Sequence, residues 1–231
     1  MRFKLLIVLF FYFTNSYSQI DIINYKTDMS FQDLSKLKTD YYNIIQGKIS
    51  IRKYFNFHDS ISDSKDKSII EAAIFQHDKF VQEKMIKTKY SESEHKRIDS
   101  LKKLNDSPVY RYKILGKLSS IDQVESILVL RQKEENKFSF DGKQLYLYLL
   151  NLDNNNQMVS SALIGRYEKM RFLSFLKVNA IVTIDKDEIS IIEKIILVPT
   201  DICQNCKKKD YSNTYKYIFT IKNNGELYKI K

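Results

Sequence analysis

At Val109 the spacing of apolar residues changes from a helical period to a period of two, and that change constrains the fold more than any other feature. Tyr110, Tyr112, Ile114 and Leu118 alternate with Arg111, Lys113 and Lys117. Leu176, Val178, Ala180, Val182 and Ile184 alternate with Lys177, Asn179 and Thr183. Tyr215, Tyr217, Phe219 and Ile221 do the same against Lys216, Thr220 and Lys222. Side chains on a strand point alternately to its two faces, so each pattern marks a strand with one face buried. Residues 145–150 and 189–198 are apolar on both parities and read as strands buried on both faces.

Turn chemistry divides these strands. Asn224-Gly225 is the clearest hairpin signal, since both residues tolerate positive φ, and Asp141-Gly142 is a second. The polar runs at 153–156 and 185–187 mark two more. The result is about eight strands with no helix-length crossover between them, which requires antiparallel pairing. A meander is expected, curved over the helices or partly closed into a barrel.

The stretch before Pro108 reads as three helices. Ser30 with Asp33 is a capping-box pattern, and Leu34, Leu37, Tyr41, Ile44 and Ile45 follow at helical spacing, with Gly47 as the stop. Ser62-Asp63-Ser64 opens the clearest helix, whose stripe is Ile70, Ala73, His77, Phe80, Val81 and Met85. Its acids lie near the start and Lys84, Lys87 and Lys89 near the end, which suits the helix dipole. Ser91 and Glu94 open a third helix, which Pro108 terminates. The fold expected is α+β: a helical segment (19–107) packed on an antiparallel sheet (108–231), sharing one core.

Residues 1–18 have the form of a signal peptide. Arg2 and Lys4 precede nine apolar or aromatic residues at 5–13, and a small polar stretch follows. Cleavage is expected between Ser18 and Gln19. The apolar run is about half of what a spanning helix needs, and no later run is long enough, so no transmembrane segment is expected in the mature chain. No cysteine stands at the cleavage point for lipid anchoring. The expected location is periplasmic or extracellular.

The chain carries 38 Lys and Arg against 28 Asp and Glu, and the excess falls mainly in residues 109–231. A basic surface favours anionic partners. Export makes an envelope partner the expectation, anionic or protein, and nucleic acid is not expected. Sixteen tyrosines, seven of them on expected strands (Tyr110, Tyr112, Tyr146, Tyr148, Tyr215, Tyr217 and Tyr228), suit both sheet packing and an interface.

No catalytic constellation is visible. The chain has no P-loop, no G-x-G-x-x-G and no G-x-S-x-G elbow. Cys203 and Cys206 are the only cysteines; they form half a zinc site at most, and export favours a disulfide stapling their loop. His58, His77 and His95 are the only histidines, and His77 lies on the apolar stripe of its helix. Asp153 to Gln157 has oxygen ligands at alternate positions but lacks the glycine and closing acid of a calcium loop, so it reads as a hairpin turn. No cofactor and no metal are expected. The function expected is a non-enzymatic binding module of the cell envelope or exterior. A carrier of an apolar ligand in the curved sheet is the alternative, and a hydrolase with a spatially assembled site the third reading.

Overall fold

Short polar turns hold this chain in hairpins. Asp153 Oδ1 accepts the amides of Asn155 and Gln157 at 2.8 and 2.9 Å, closing one turn. Lys186-Asp187 closes the next as a two-residue loop with Lys186 at φ 52°. At the third only Gly225 takes positive φ (83°), and the turn runs over residues 222–226 rather than two residues.

The structure is a computed structural model, and it describes residues 20–25, 34–55, 57–89, 109–119, 123–133, 143–172, 174–199 and 211–230. Strands β1 (Ile22–Asn24) and β2 (Gly47–Ser50) precede helix α1 (Ser64–Lys89). Then follow β3 (Tyr110–Lys117), β4 (Glu125–Lys133), β5 (Lys143–Leu152), β6 (Met158–Phe172), β7 (Ser174–Asp185), β8 (Glu188–Pro199), β9 (Tyr211–Ile221) and β10 (Leu227–Lys229). β3 to β10 form an antiparallel meander in sequence order, with β1 added to β6 and β2 to β7 in the same ten-stranded sheet.

The expected three-helix segment is not what forms. Among the described residues there is one α-helix, and the region before it contributes two strands. Residues 34–45 keep only two short 3-10 turns, Leu34–Lys36 and Thr39–Tyr41. Leu34 and Leu37 are buried as their spacing requires, but Ile44 is 66% exposed. The cause is tertiary pairing. The Lys117 amide donates to Asn43 O (2.8 Å) and the Ile45 amide to Lys117 O (2.7 Å), so these residues cover the edge of β3 instead of turning helically. Gly47 opens β2 rather than stopping a helix. The expected third helix lies outside the described residues.

Helix α1 forms where its capping predicts. Asp63 Oδ1 accepts the amides of Lys65 and Asp66 (2.9 and 3.2 Å), two of the donors that a helix start leaves unpaired. Ile70, Ala73 and Ile74 then pack on Tyr112, Val129 and Tyr148 of β3, β4 and β5. Each buried isoleucine is worth about 1.5–3 kcal/mol.

The opposite face of β4–β6 makes the second core. β6 and β7 pair near their shared turn and then part: β1 occupies the free edge of β6 at 160–162, and β2 that of β7 at 181–184. The sheet thereby folds over, and Val182, Ile191 and Phe219 meet Leu147 and Leu149 in one core. This explains the doubly apolar β5, which faces α1 on one side and the folded-over strands on the other. β8 is different. Ile189, Ile191 and Ile195 face inward, but Ile192 is 42% exposed, so residues 189–198 are not buried on both faces. A bulge between Ile114 and Gly116 also moves Leu118 into this core, away from the face of Tyr112 and Ile114.

Candidate functional site

Three polar arrangements stand out, two buried and one on the surface. The first lies under α1. Ser161 Oγ sits between the Tyr25 hydroxyl and His77 Nδ1, 2.7 Å from each. His77 also meets the Tyr148 ring edge-on at 5.4 Å. Burial lowers the His77 pKa to about 4 against the opposing pull of Asp78, and raises that of Tyr25 to about 12. A serine touching a histidine is the contact a hydrolase needs. Here Asp78 does not orient the imidazole. It binds Arg131 Nη1 (2.5 Å) and accepts from Tyr148 Oη (3.3 Å). Ser161 and His77 are 0% and 1% exposed, so a substrate would reach them only by lifting α1.

Arg131 completes that network. Its guanidinium lies 4.8–5.3 Å from the ring centroids of Tyr110, Tyr146 and Tyr148. Burial works against its charge, but Tyr148 and Asp78 outweigh it and raise its pKa. The role this geometry supports is docking α1 on the sheet.

The second arrangement joins β6 to β8. Arg166 Nε and Nη2 donate to the two carboxylate oxygens of Glu193 at 2.7 and 3.1 Å, and Glu168 Oε1 lies 3.9 Å from Nη1. All three side chains are buried. Burial raises the pKa of both carboxyls against the pull of Arg166. Paired carboxylates can do acid–base work, but here Glu193 is held by the Arg166 guanidinium and Glu168 by the Tyr146 hydroxyl, both inside the fold. Among the described residues no group of three or more His, Cys, Asp or Glu side chains is placed to hold a metal ion.

The third arrangement is the outer face of β2, β7, β8 and β9. Register places its residues in rows. Lys177, Ile196 and Ser212 form one row, Asn179, Lys194 and Thr214 the next, then Ser50, Ile181, Ile192 and Lys216, then Lys48, Thr183, Ser190 and Ile218. These rows hold four lysines and no acid; Asp185 and Glu188 enter only in the row at the β7–β8 turn. Lys48, Lys194 and Lys216 are exposed and Lys177 half-buried. None of the four is in an ion pair with another described residue. The apolar side of the same strands is spent on the inner core, and on this side Lys48, Thr183, Ile192, Lys194, Ser212, Thr214 and Lys216 are exposed.

The residues singled out from the sequence are not brought together. His77 is buried under α1 and His58 is exposed in the loop before it. His95, Cys203, Cys206 and the Ser18–Gln19 cleavage point lie outside the described residues. The seven strand tyrosines do fall on strands, but Tyr112, Tyr148 and Tyr217 are buried core. Sequence reasoning missed the Arg166–Glu193 pair and Lys194. The available signal was that Glu193 shares its parity with Ile189, Ile191 and Ile195, so it points inward while Lys194 points outward.

No protein-family model, curated protein or solved structure matches the chain. Any functional reading therefore stands on this geometry alone. No helix among the described residues is long and apolar enough to cross a membrane.

Proposed function

We propose that this protein is an exported, non-enzymatic binding module of the cell envelope or exterior, and that it engages its partner through the outer face of β2, β7, β8 and β9. One observation carries the reading: four lysines, three of them exposed, share a sheet face whose four rows hold no acid among the described residues. Such a face attracts anionic surfaces and gives salt-dependent association. Among the described residues, His77, Ser161, Glu168 and Glu193 are buried and engaged within the fold, which favours binding over catalysis at these groups. An apolar-ligand carrier has less support. Ile51 occupies the interior beside Gly165, where even an added methyl would lie 2.2 Å from its Cδ1.

The test is affinity capture from the protein's own envelope fraction at low and high salt, with the wild type and with Lys194→Glu/Lys216→Glu. The reading predicts a captured component that the wild type loses at high salt and the variant fails to retain at low salt. Equal capture by both proteins would contradict it.

A further inference from the structure

Lys177, Lys194 and Lys216 lie on a straight diagonal across three strands. Lys194 is directly opposite Asn179 on β7 and Thr214 on β9. Lys177 is two residues from Asn179, and Lys216 two residues from Thr214. Each step is therefore a diagonal neighbour contact, with about 7–8 Å between the backbone positions. The result is a line of positive charges at regular intervals rather than a cluster.

We propose that this line is the binding track for a linear acidic polysaccharide. The inference rests on the lysine face being the binding surface, and it names the partner's chemistry. A polymer with one anion per repeat presents charges in a line, as the track does. The groups beside the lysines suit sugars. Thr214, exposed and directly opposite Lys194, supplies a hydrogen-bonding hydroxyl for a sugar. Ile181 and Ile192, paired across β7 and β8, offer an apolar strip to the C–H face of a sugar ring. Asp185 and Glu188 repel an anion at one end and so limit the track.

Other anionic partners fit less well. Single-stranded nucleic acid is held by stacking on aromatic rings; the four rows contain none on β2, β7, β8 and β9, and Tyr167, opposite Asn179 on β6, is buried. A protein interface has a well-packed core rich in aromatic side chains, whereas the centre of this face is lysine, hydroxyl and isoleucine. A membrane surface would be gripped by apolar side chains entering the lipid, and of the isoleucines in the four rows (Ile181, Ile192, Ile196 and Ile218) only Ile192 is exposed.

The experiment is titration of the full protein with a linear polyuronate, with neutral dextran, with anionic vesicles and with a single-stranded oligonucleotide, over a range of salt. Lys177→Ser/Lys194→Ser/Lys216→Ser is compared with Lys53→Ser/Lys65→Ser/Lys79→Ser, which removes the same charge from exposed lysines elsewhere. If the triple variant does not fold, Lys194→Ser and Lys216→Ser singly carry the same test. The track predicts salt-dependent polyuronate binding and none to dextran. Removing its lysines should weaken binding by about tenfold or more and lower the salt slope by about one per lysine, while the off-face variant stays near wild type. Equal weakening by both variants would overturn the track, as would tighter binding of vesicles or oligonucleotide than of polyuronate. No polyuronate binding, with envelope capture still dependent on the face lysines, would overturn the polysaccharide and leave the face standing. Loss of both dependences would overturn the two together.

Discussion

Asn24 bonds to both main-chain groups of Leu227, 203 residues away: its Nδ2 donates to Leu227 O at 3.2 Å and its Oδ1 accepts the Leu227 amide at 2.9 Å. A side-chain amide thus takes the place of a ladder pair between β1 and β10. β1 is paired to β6, and β10 leads through β9, β8 and β7 back to β6, so this contact closes the strand path. Ser160 Oγ and Asn151 Nδ2 both donate to Gly225 O, which fixes the adjoining turn.

Replacing Asn24 by Ala should cost about 1–3 kcal/mol, the loss of two hydrogen bonds with their main-chain partners left partly buried. Amide exchange would be expected to quicken at Ile22–Asn24 and Leu227–Lys229 while β4 and β5 stay protected. Uniform acceleration through the sheet would instead mean that Asn24 has no local closing role.

The two buried carboxyls near Arg166 should answer differently to the same change. Glu193→Gln removes the bidentate partner of a buried guanidinium and should destabilise by about 3 kcal/mol or more. Glu168 lies 3.9 Å from Arg166 and accepts a hydrogen bond from the Tyr146 hydroxyl, while its Oε2 has no hydrogen-bond partner. Because its pKa is raised by burial, any stability it contributes is present at low pH and lost as pH rises through the folded value. Glu168→Gln should therefore be neutral or stabilising at pH 7. Denaturant midpoints of the two variants decide this, and equal losses would refute the distinction.

His77 gives stability a pH dependence of the other sign. Its folded pKa of about 4 lies below the ordinary 6.5, chiefly through burial. The unfolded chain takes up a proton that the folded protein does not. Stability is present above about pH 6.5 and falls as pH drops towards 4, by roughly 3 kcal/mol at the lower end. His77→Gln should remove that slope from urea unfolding measured between pH 7 and 4. An unchanged slope would show that His77 does not carry it.

Gly116 sits in the β3 bulge at φ 149°, where an added Cβ would lie 2.0 Å from Asn43 O. The clash is with backbone that also pairs with Lys117, so it cannot be relieved by a rotamer change. Gly116→Ala should destabilise by at least about 1 kcal/mol, read as a lower urea midpoint with separation of residues 43–45 from β3.

The meander was legible because strand alternation and turn residues are local signals, and both survive in β3–β10. α1 was legible for the same reason: Asp63 caps it and Ile70, Ala73 and His77 share its buried side. Residues 34–45 misled because a helical spacing of Leu34, Leu37 and Tyr41 also fits two 3-10 turns, and the long-range bonds to Lys117 that decide between them leave no local mark. β8 misled because its sequence mixes an inward acid with an outward isoleucine. Glu193 can face inward only because Arg166 arrives from β6. That pairing hid the outward lysine, Lys194, at the centre of the candidate track.

Whether the outer lysine face is where the protein is engaged can be read by lysine acetylation and mass spectrometry with and without the protein's envelope extract. Engagement through this face should protect Lys177, Lys194 and Lys216 at low salt while Lys53, Lys65 and Lys79 label as before, with protection lost at high salt. Unchanged labelling of the three face lysines, or protection of the off-face set instead, would contradict it.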